Sequence, residues 1–280
     1  MILVADSGST KTSWAVTGTE NKIVTEGLNP HFTSDETFMA VCQKVRQHFS
    51  TFNLQPSIFF YGAGCGNPTQ HKRAEHLLSK AFDTEKITVE TDMLGACRAA
   101  SGHEASLVGI LGTGSNACYY DGTCIKCQPT STGYILGDKG SANHVGRILL
   151  NDYLTHRMPA KTRRLFHDKF QQSDTKLMDA VYHMANANRF LASLAPFAVE
   201  HQNDDDYCGE VIWSALHDWY FDPLQTLRQR ARYPEGTLNI VGGFAKAIEP
   251  TLRRYFKDSG LTVGNIIADP MKGLLAYHST

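Results

Sequence analysis

Two short glycine-rich turns limit what this chain can fold into more than any other feature of its sequence. Asp6-Ser7-Gly8-Ser9-Thr10-Lys11 follows the apolar residues 1–5, and Gly112-Thr113-Gly114-Ser115-Asn116 follows the apolar residues 107–111. Glycine lets the backbone approach a ligand closely, so that consecutive N–H groups can point at phosphate oxygens, with hydroxyls adding donors. Gly and Ser are also common in ordinary hairpin turns. Two such turns in matching settings favour a duplicated phosphate-binding structure.

Polar residues beside the first turn support this interpretation. Asp6 stands where the first strand ends, and a carboxylate there could hold Mg²⁺, usually through water because that ion dehydrates reluctantly. Thr10 and Lys11 add a hydroxyl and a cation, although Lys11 could equally be a solvated strand residue. The spacing of the helix-capping P-loop, Gly-x-x-x-x-Gly-Lys-Ser/Thr, is absent.

Length and charge limit the class of protein. A chain of 280 residues can form one large domain or two of ordinary size, and we expect two lobes around a cleft. Because 28 acidic residues nearly balance 27 basic ones, bulk charge gives no support to a nucleic-acid or membrane partner. The sequence has neither a signal-peptide pattern nor an apolar run of membrane-spanning length, so we expect a soluble, cytoplasmic protein.

The cysteines also suggest a reducing compartment. Seven are dispersed along the chain, an odd number that does not form a secreted disulfide framework. Cys124 and Cys127 have the spacing of half a zinc site, but no second pair accompanies them. We interpret them as strand residues after the turn at 121–122.

The hydrophobic pattern alternates strands with helices and then begins again. The first half predicts strands at 1–5, 11–17, 22–27, 57–61 and 87–91, with helices at 36–52 and 69–82. The second half predicts strands at 106–111, 117–120, 124–128, 237–241 and near 266–267. Helical patterning dominates 141–231, with interruptions expected at Pro159, Pro196, 204–206 and Pro223, and two further helices follow 242–243 and 269–270. The repetition indicates an internal duplication.

Five motifs in order resemble those of N-acetylglucosamine kinases and the broader BadF/BadG/BcrA/BcrD ATPase family. These are the two turns, Thr91-Asp92, Gly137-Asp138-Lys139-Gly140-Ser141 and Val241-Gly242-Gly243-Phe244. The resemblance implies an α/β fold with two ribonuclease H-like (actin-like ATPase) lobes around a cleft. It places the N-terminal lobe at 1–105 and the C-terminal lobe at 106–280, with a helical insertion at about 141–232. The last helix, 270–280, could pack back on the N-terminal lobe.

The resemblance also implies a nucleotide site for ATP and Mg²⁺. The first turn, through Ser7, Gly8, Ser9, Thr10 and Lys11, would meet the β- and γ-phosphates, with Asp6 holding Mg²⁺ through water. The second turn, through Gly112, Thr113, Gly114 and Ser115, would meet the other side of the phosphates. Gly242, Gly243 and Phe244 would meet the adenosine.

Asp92 is the predicted acceptor for the proton of the attacking hydroxyl, as phosphoryl transfer requires. The alternative is a structural one, in which Asp92 is the N-cap of a helix over 93–100. A helix N-terminus would keep the pKa of this carboxyl low and make it a weak base. Both roles can coexist in one side chain.

Sugar recognition requires several fixed polar groups. The candidates are Asn29, Thr113, Asn116, Tyr134 and Asp138. Each has a structural alternative: a plain turn at Asn29, completion of the phosphate turn for Thr113 and Asn116, packing for Tyr134 and a loop turn for Asp138. Lys139 stands where a glutamate is common in the family, and its ammonium group would lower the pKa of the Asp138 carboxyl.

The resemblance therefore predicts an ATP-dependent amino-sugar kinase that converts N-acetylglucosamine to its 6-phosphate. One alternative is a BadF-like ATPase that activates a radical dehydratase or reductase, which needs cysteines for an iron–sulfur cluster, and none occurs between 130 and 206. Another is a sugar sensor without turnover, although the first strand starts at Met1 and leaves no room for a preceding helix-turn-helix. The helices of 141–231 could wrap one lobe or form the face of a homodimer.

Overall fold

The computed structural model describes residues 1–8, 10–50, 56–184, 186–233 and 236–279. Two compact units divide the chain. Unit 1 consists of Met1–Glu104, Gly122–Cys124 and Asp269–Thr280, and unit 2 of Ala105–Asp121 and Ile125–Ala268. Across the described ranges, no helix is both long and apolar enough to span a bilayer.

Strands of similar length supply one sheet to each unit. Unit 1 contains β1 (Ile2–Ser7), β2 (Lys11–Val16), β3 (Lys22–Glu26), β4 (Ser57–Gly62) and β5 (Ile87–Thr91). Unit 2 contains β6 (Ala105–Leu111), β7 (Ser115–Asp121), β8 (Ile125–Cys127), β9 (Gly236–Val241) and β10 (Leu261–Ile267).

Helices cover these sheets. Those of unit 1 are α1 (Asp35–His48), α2 (Pro68–Phe82), α3 (Asp92–Ser101) and, last in the chain, α13 (Met271–Tyr277). Those of unit 2 are α4 (Gly133–Leu136), α5 (Ala142–Leu154), α6 (Ala160–Phe170), α7 (Asp174–Tyr182), α8 (Ala187–His201), α9 (Asp206–Trp219), α10 (Gln225–Ala231), α11 (Gly243–Ala247) and α12 (Glu249–Phe256). A π-helical turn, Tyr220–Leu224, joins α9 to α10.

The two sheets have the same topology. The strand order is β3-β2-β1-β4-β5 in unit 1 and, read in the same direction, β8-β7-β6-β9-β10 in unit 2. In each sheet the first three strands of the unit pair antiparallel and the remaining two add in parallel. This repeat confirms the predicted α/β fold class and agrees with the internal duplication expected from the sequence.

The pleat of β1 determines where its polar residue points. Leu3 and Ala5 join the core cluster that contains α1 and α2, whereas Val4 packs with Met271 and Leu274 of α13. Successive strand residues face opposite sides of a sheet, so Asp6 shares the Val4 face. The end of β1 therefore presents its carboxylate on the side covered by α3 and α13.

Helix boundaries differ from the sequence prediction at several places, among them the helix predicted after 242–243, which is divided into α11 and α12. The first helix ends at His48 with Phe49 as its C-cap, and residues 51–52 of the predicted helix lie outside the described residues. Pro196 lies inside α8 instead of breaking it, and Pro223 lies in the π-helical turn instead of ending a helix. A proline removes one backbone hydrogen bond, and the packing of α8 on α5 outweighs that loss.

Candidate functional site

The first turn is held by buried hydroxyls beneath it. Ser7 is fully buried, and its Oγ lies 2.8 Å from Thr12 Oγ1 and accepts from Leu28 N at 3.0 Å. Gly8 N donates to Lys11 O at 3.0 Å and closes the turn. The Ser7 hydroxyl is therefore committed to supporting the turn, while Thr10 and Lys11 are exposed. Ser9, also predicted to contact phosphate, lies outside the described residues.

Three carboxylates of unit 1 interact electrostatically around Asp6. Burial, together with the charges of Asp92 and Asp269, raises the pKa of Asp6 to about 7, and Lys11 opposes that rise. Asp92 begins α3, and Asp269 immediately precedes α13, where its Oδ1 accepts from Met271 N at 2.9 Å. Asp269 had no signal in the sequence, because only the fold brings it near Asp6, which lies more than two hundred positions earlier.

The N-cap of α3 is Thr91 and not Asp92. Thr91 Oγ1 accepts from Leu94 N at 3.2 Å, and Asp92 is the first helical residue, its Oδ1 accepting from Met93 N at 2.9 Å. The expectation of a low pKa is wrong, because desolvation by burial raises the pKa of Asp92 by more than the hydrogen bond from Met93 N lowers it. Among the described residues, Asp92 Oδ2 has no hydrogen-bond partner.

Asn29 lies in a buried turn of unit 1. Its Oδ1 accepts from His31 N at 2.9 Å, as in the plain turn considered from the sequence. A Cβ on Gly64, whose φ is +85°, would lie 2.4 Å from that oxygen. The run 62–66 therefore connects β4 to α2 tightly and leaves space for the Asn29 side chain.

The second turn presents unpaired backbone donors. Gly112 N donates to Gly114 O, and Ser115 N donates to Asp138 Oδ1 at 3.1 Å. No described residue accepts a hydrogen bond from the N–H of Thr113 or of Gly114. Consecutive free N–H groups in a turn form an anion-binding concavity, which is the arrangement expected for phosphate.

The remaining predicted sugar residues are also in unit 2, and each has a structural contact. Asp138 has a φ of +51° and accepts from Ser115 N and from Asn143 Nδ2, which it contacts at 2.9 Å. Asn116 Oδ1 accepts from Ala117 N, and Tyr134 packs against the unit 2 core. Ser115 Oγ donates to Lys139 O at 2.6 Å, so the 137–141 loop supports the second turn.

The turn between β9 and α11 meets the second turn at one cavity. Gly242 has a φ of +139°, and a Cβ there would lie 2.2 Å from Leu111 O, so glycine is required for this close approach. The space beside Gly112 and Gly243 is open, with no atom within 4 Å of a Cβ built on either. Both residues line a cavity of about 480 Å³, together with Thr113 and Phe244.

Helix α8 provides a wall of this cavity that the sequence did not reveal. The other lining residues are Ala142, Ala192, Ala195, Pro196, Val199, Glu200 and Ala247. Ala192, Ala195, Pro196 and Val199 have the i, i+3, i+4, i+7 spacing of one helix face. That spacing indicates an apolar helix face, but it does not show which part of the protein the face covers. Glu200 at the end of the wall forms an ion pair with Lys169.

Each unit therefore gathers part of the predicted site. Asp6, Ser7, Gly8, Thr10, Lys11, Asn29 and Asp92 belong to unit 1. Gly112, Thr113, Gly114, Ser115, Asn116, Tyr134, Asp138, Gly242, Gly243 and Phe244 belong to unit 2. In the described ranges, no three His, Cys, Asp or Glu side chains are grouped to hold a metal ion directly.

Known structures share this architecture along the full chain. A structure of a proposed N-acetylglucosamine kinase from Porphyromonas gingivalis is 32% identical, with a TM-score of 0.92, and the match covers 99% of this chain and 98% of that one. A second such protein, from Chromobacterium violaceum, is 18% identical with a TM-score of 0.75 over 99% and 98% of the two chains.

A more distant match is a ROK family glucokinase from Streptomyces griseus in complex with glucose and AMPPNP. It is 14% identical, with a TM-score of 0.53 over 99% of this chain and 98% of that one. No protein-family model matches the chain, and no curated protein is significantly similar to it. The two less similar structures bear on the fold alone, whereas the Porphyromonas gingivalis protein is similar enough to define a family.

Proposed function

The chain belongs to the N-acetylglucosamine kinase family, within the superfamily of sugar kinases and actin-like ATPases, and from this membership we propose that it transfers the terminal phosphoryl group of ATP to an amino sugar. The acceptor is N-acetylglucosamine and the product is its 6-phosphate. The observation that carries the proposal is the cavity of about 480 Å³ that joins the second glycine-rich turn to Gly243 and Phe244.

Unit 2 supplies the nucleotide site in this proposal. The adenosine occupies the cavity between α8 and the β9–α11 turn, where Phe244 and the small α8 residues offer an apolar surface. The N–H groups of Thr113 and Gly114 bind phosphate oxygens. A volume of this size suits a small ligand, and apolar walls with a few polar groups are typical of such sites.

Unit 1 supplies the base. Asp92 Oδ2 accepts the proton of the attacking hydroxyl, and its raised pKa makes it a stronger base than an ordinary carboxylate. The hydrogen bond from Met93 N to Oδ1 fixes the carboxylate plane, so that Oδ2 is the free acceptor. In a loose transition state this proton leaves late, and orientation matters as much as basicity.

Asp6 is suited to a divalent cation. Its proton is held to near neutral pH because burial disfavours the charged form and two further carboxylates repel it, and a cation would replace that proton and relieve the repulsion. With no direct three-ligand group among the described residues, the ion would be Mg²⁺ held largely through water. When bound, it would neutralise charge on the phosphates.

In this proposal the residues that recognise the sugar are Asn29, Thr113, Asn116, Tyr134 and Asp138. Asn29 and Asp138 are held by their turns, so their polar groups are fixed before the sugar binds. Fixed polar groups discriminate strongly, because a sugar that lacks a matching hydroxyl leaves them unpaired.

The test is an assay of ADP release with ATP, Mg²⁺ and a panel of amino sugars. We expect N-acetylglucosamine to stimulate turnover, and Asp92→Asn to lower kcat by a factor on the order of 10² to 10⁴, since it keeps the shape but removes the base. Asp83→Asn is the matched control, because Asp83 is exposed at the left-handed C-cap of α2, where Asn is equally tolerated.

The assay also separates the alternatives. ADP release that no sugar stimulates would contradict the kinase and favour an ATPase activator, and nucleotide or sugar binding without turnover would favour a sensor. Turnover unchanged in Asp92→Asn would leave the kinase but remove Asp92 from its mechanism.

A further inference from the structure

A fully buried asparagine supports the second turn. Asn143 is the second residue of α5, and its Nδ2 donates to Thr113 O at 2.7 Å and to Asp138 Oδ2 at 2.9 Å. Its backbone N donates to Thr113 O as well, at 3.1 Å. Three donor contacts from one residue therefore hold the turn and the loop beside it.

The contacts of Asn143 fix the orientation of one peptide. The Thr113–Gly114 peptide is trans, so its C=O and its N–H point to opposite sides. Because Asn143 holds the C=O toward α5, the Gly114 N–H points away from α5. This is one of the two turn N–H groups without an acceptor among the described residues.

Asn143 also connects the turn to Asp138. Asp138 Oδ1 accepts from Ser115 N, and its Oδ2 accepts from Asn143 Nδ2. A Cβ on Gly114 would lie 2.7 Å from Asp138 Oδ2, so turn and carboxylate are packed tightly. A displacement of either group therefore displaces the other.

Filling space does not explain an asparagine at this position. Asn143 Oδ1 is buried and accepts no hydrogen bond from any described residue, whereas Nδ2 donates to both Thr113 O and Asp138 Oδ2. Capping does not explain it either, because Ser141 is the N-cap of α5 and its Oγ accepts from His144 N. A side chain with one unpaired oxygen, in a residue that makes two contacts to the turn and one to Asp138 beside it, points to a role in positioning them.

We propose that Asn143 is a positioning residue that sets the affinity of the second turn for nucleotide phosphates by holding the Thr113–Gly114 peptide and Asp138 in one arrangement. The inference rests on the proposed function. It adds a residue outside the five motifs, and it makes the amide donors the essential feature of this side chain.

The test is the binding of Mg²⁺-ADP by titration calorimetry to Asn143→Leu and Asn143→Asp. Asn143→Leu keeps the approximate shape of the side chain and removes its amide donor and the unpaired Oδ1. The backbone N–H of residue 143 remains. We expect the dissociation constant of this variant to rise at least about tenfold while the protein still unfolds cooperatively. A merely structural residue would lower the melting temperature and leave the dissociation constant of the folded protein unchanged.

Asn143→Asp supplies a second, independent readout. Its carboxylate cannot donate to Asp138 Oδ2, but the protonated acid can donate one hydrogen bond. Relative to the wild type at each pH, its ADP affinity should recover as the pH falls from 8 to 5. Asn151→Asp, on the exposed side of the same helix, is the matched control. Its ADP affinity relative to the wild type should not change with pH.

The outcomes separate this inference from the function on which it rests. Wild-type protein that binds no Mg²⁺-ADP would overturn both. Wild-type binding with equal affinity in folded Asn143→Leu would overturn only the role of Asn143. If Asn143→Leu fails to fold, a pH-independent affinity ratio for Asn143→Asp would overturn it instead.

Discussion

At the scale of single residues, Asp6 shows how the fold changes the chemistry of a side chain. Its carboxylate is an ordinary one in the sequence, but at the end of β1 it meets the charges of Asp92 and Asp269 in a buried setting. Burial and like charge both disfavour ionisation, and their sum outweighs the attraction of Lys11. The folded protein therefore holds this proton more tightly than the unfolded chain does.

The raised pKa of Asp6 predicts how stability depends on pH. Below about pH 4 the carboxyl is protonated in both states and has no effect. As the pH rises from about 4 to about 7, the unfolded chain ionises first, so the folded state loses stability relative to Asp6→Asn. At pH 8 we expect Asp6→Asn to be more stable by about 2–4 kcal/mol, and at pH 4 by little.

Urea denaturation of both proteins at pH 4, 6 and 8, without metal or nucleotide, measures this difference. Free energies of unfolding that run parallel with pH would show that Asp6 titrates as an ordinary carboxyl. Asp258→Asn, in an exposed turn of unit 2, is the control and should follow the wild type at every pH.

Residue types, spacing and the family resemblance indicate candidate site residues, but not the protonation state of those residues. The two turns are indicated by glycine after apolar strands, and Asp92 and Asp138 by the resemblance to the family. The pKa of Asp92 was predicted in the wrong direction, because the sequence shows a helix N-terminus but not the burial that opposes it. Asn143 and Asp269 gave no local signal, since their importance depends on contacts made in three dimensions.

At the scale of elements, α8 illustrates what periodicity can and cannot predict. Its apolar spacing indicated a helix, and Pro196 suggested a break that the structure does not contain. Strand positions were predicted closely in both units, because short apolar runs ended by glycine or aspartate leave few alternatives. The pairing of α8 with the second turn could not be predicted, because nothing local encodes which helix covers which loop.

A substitution on the α8 side of the cavity should weaken nucleotide binding without destabilising the fold. Ala192 lines the cavity, and Ser193 beside it is exposed. We expect Ala192→Phe to fill part of the cavity and weaken Mg²⁺-ADP binding at least about tenfold, with little change in the melting temperature of the free protein. Ser193→Phe adds the same ring outside the cavity and should bind as the wild type does.

Titration calorimetry and thermal melts of the two variants test whether the cavity binds the nucleotide. Equal ADP affinity in Ala192→Phe and Ser193→Phe would show that the cavity is not the nucleotide site. It would leave the family membership of the chain intact and remove the observation on which the proposed function rests.

At the scale of the whole molecule, unit 1 is discontinuous in sequence. Asp269–Thr280 belongs to unit 1 although all of Ile125–Ala268 belongs to unit 2. Helix α13 contacts α3, β1 and β2, and His278 Nε2 lies 2.8 Å from Tyr61 OH of β4. Arg98 of α3 donates to the same hydroxyl at 2.8 Å, so one hydrogen-bonded cluster joins α13 to the sheet.

Removal of this returning segment should destabilise the two units unequally. In a chain that ends at Ala268, Val4 and Ala15 lose the cover of Met271 and Leu274. We expect amide hydrogen exchange to quicken in β1, β2 and α3, while β6 and β9 of unit 2 stay protected. Equal protection of β1 with and without residues 269–280 would contradict the prediction.

The discontinuity also sets the order in which a growing polypeptide can finish folding on the ribosome. The strands of unit 1 and α3 emerge first, but α13, which also covers the face of β1 that carries Asp6, is added only after all of unit 2 has been translated. A nascent chain therefore exposes the apolar side chains that α13 covers, such as Val4 and Ala15, for the time needed to make the residues 105–268, about 8 to 33 s at ordinary elongation rates. Chaperone binding during synthesis is expected on that face, and the charge of Asp269 joins those of Asp6 and Asp92 only when the returning segment arrives.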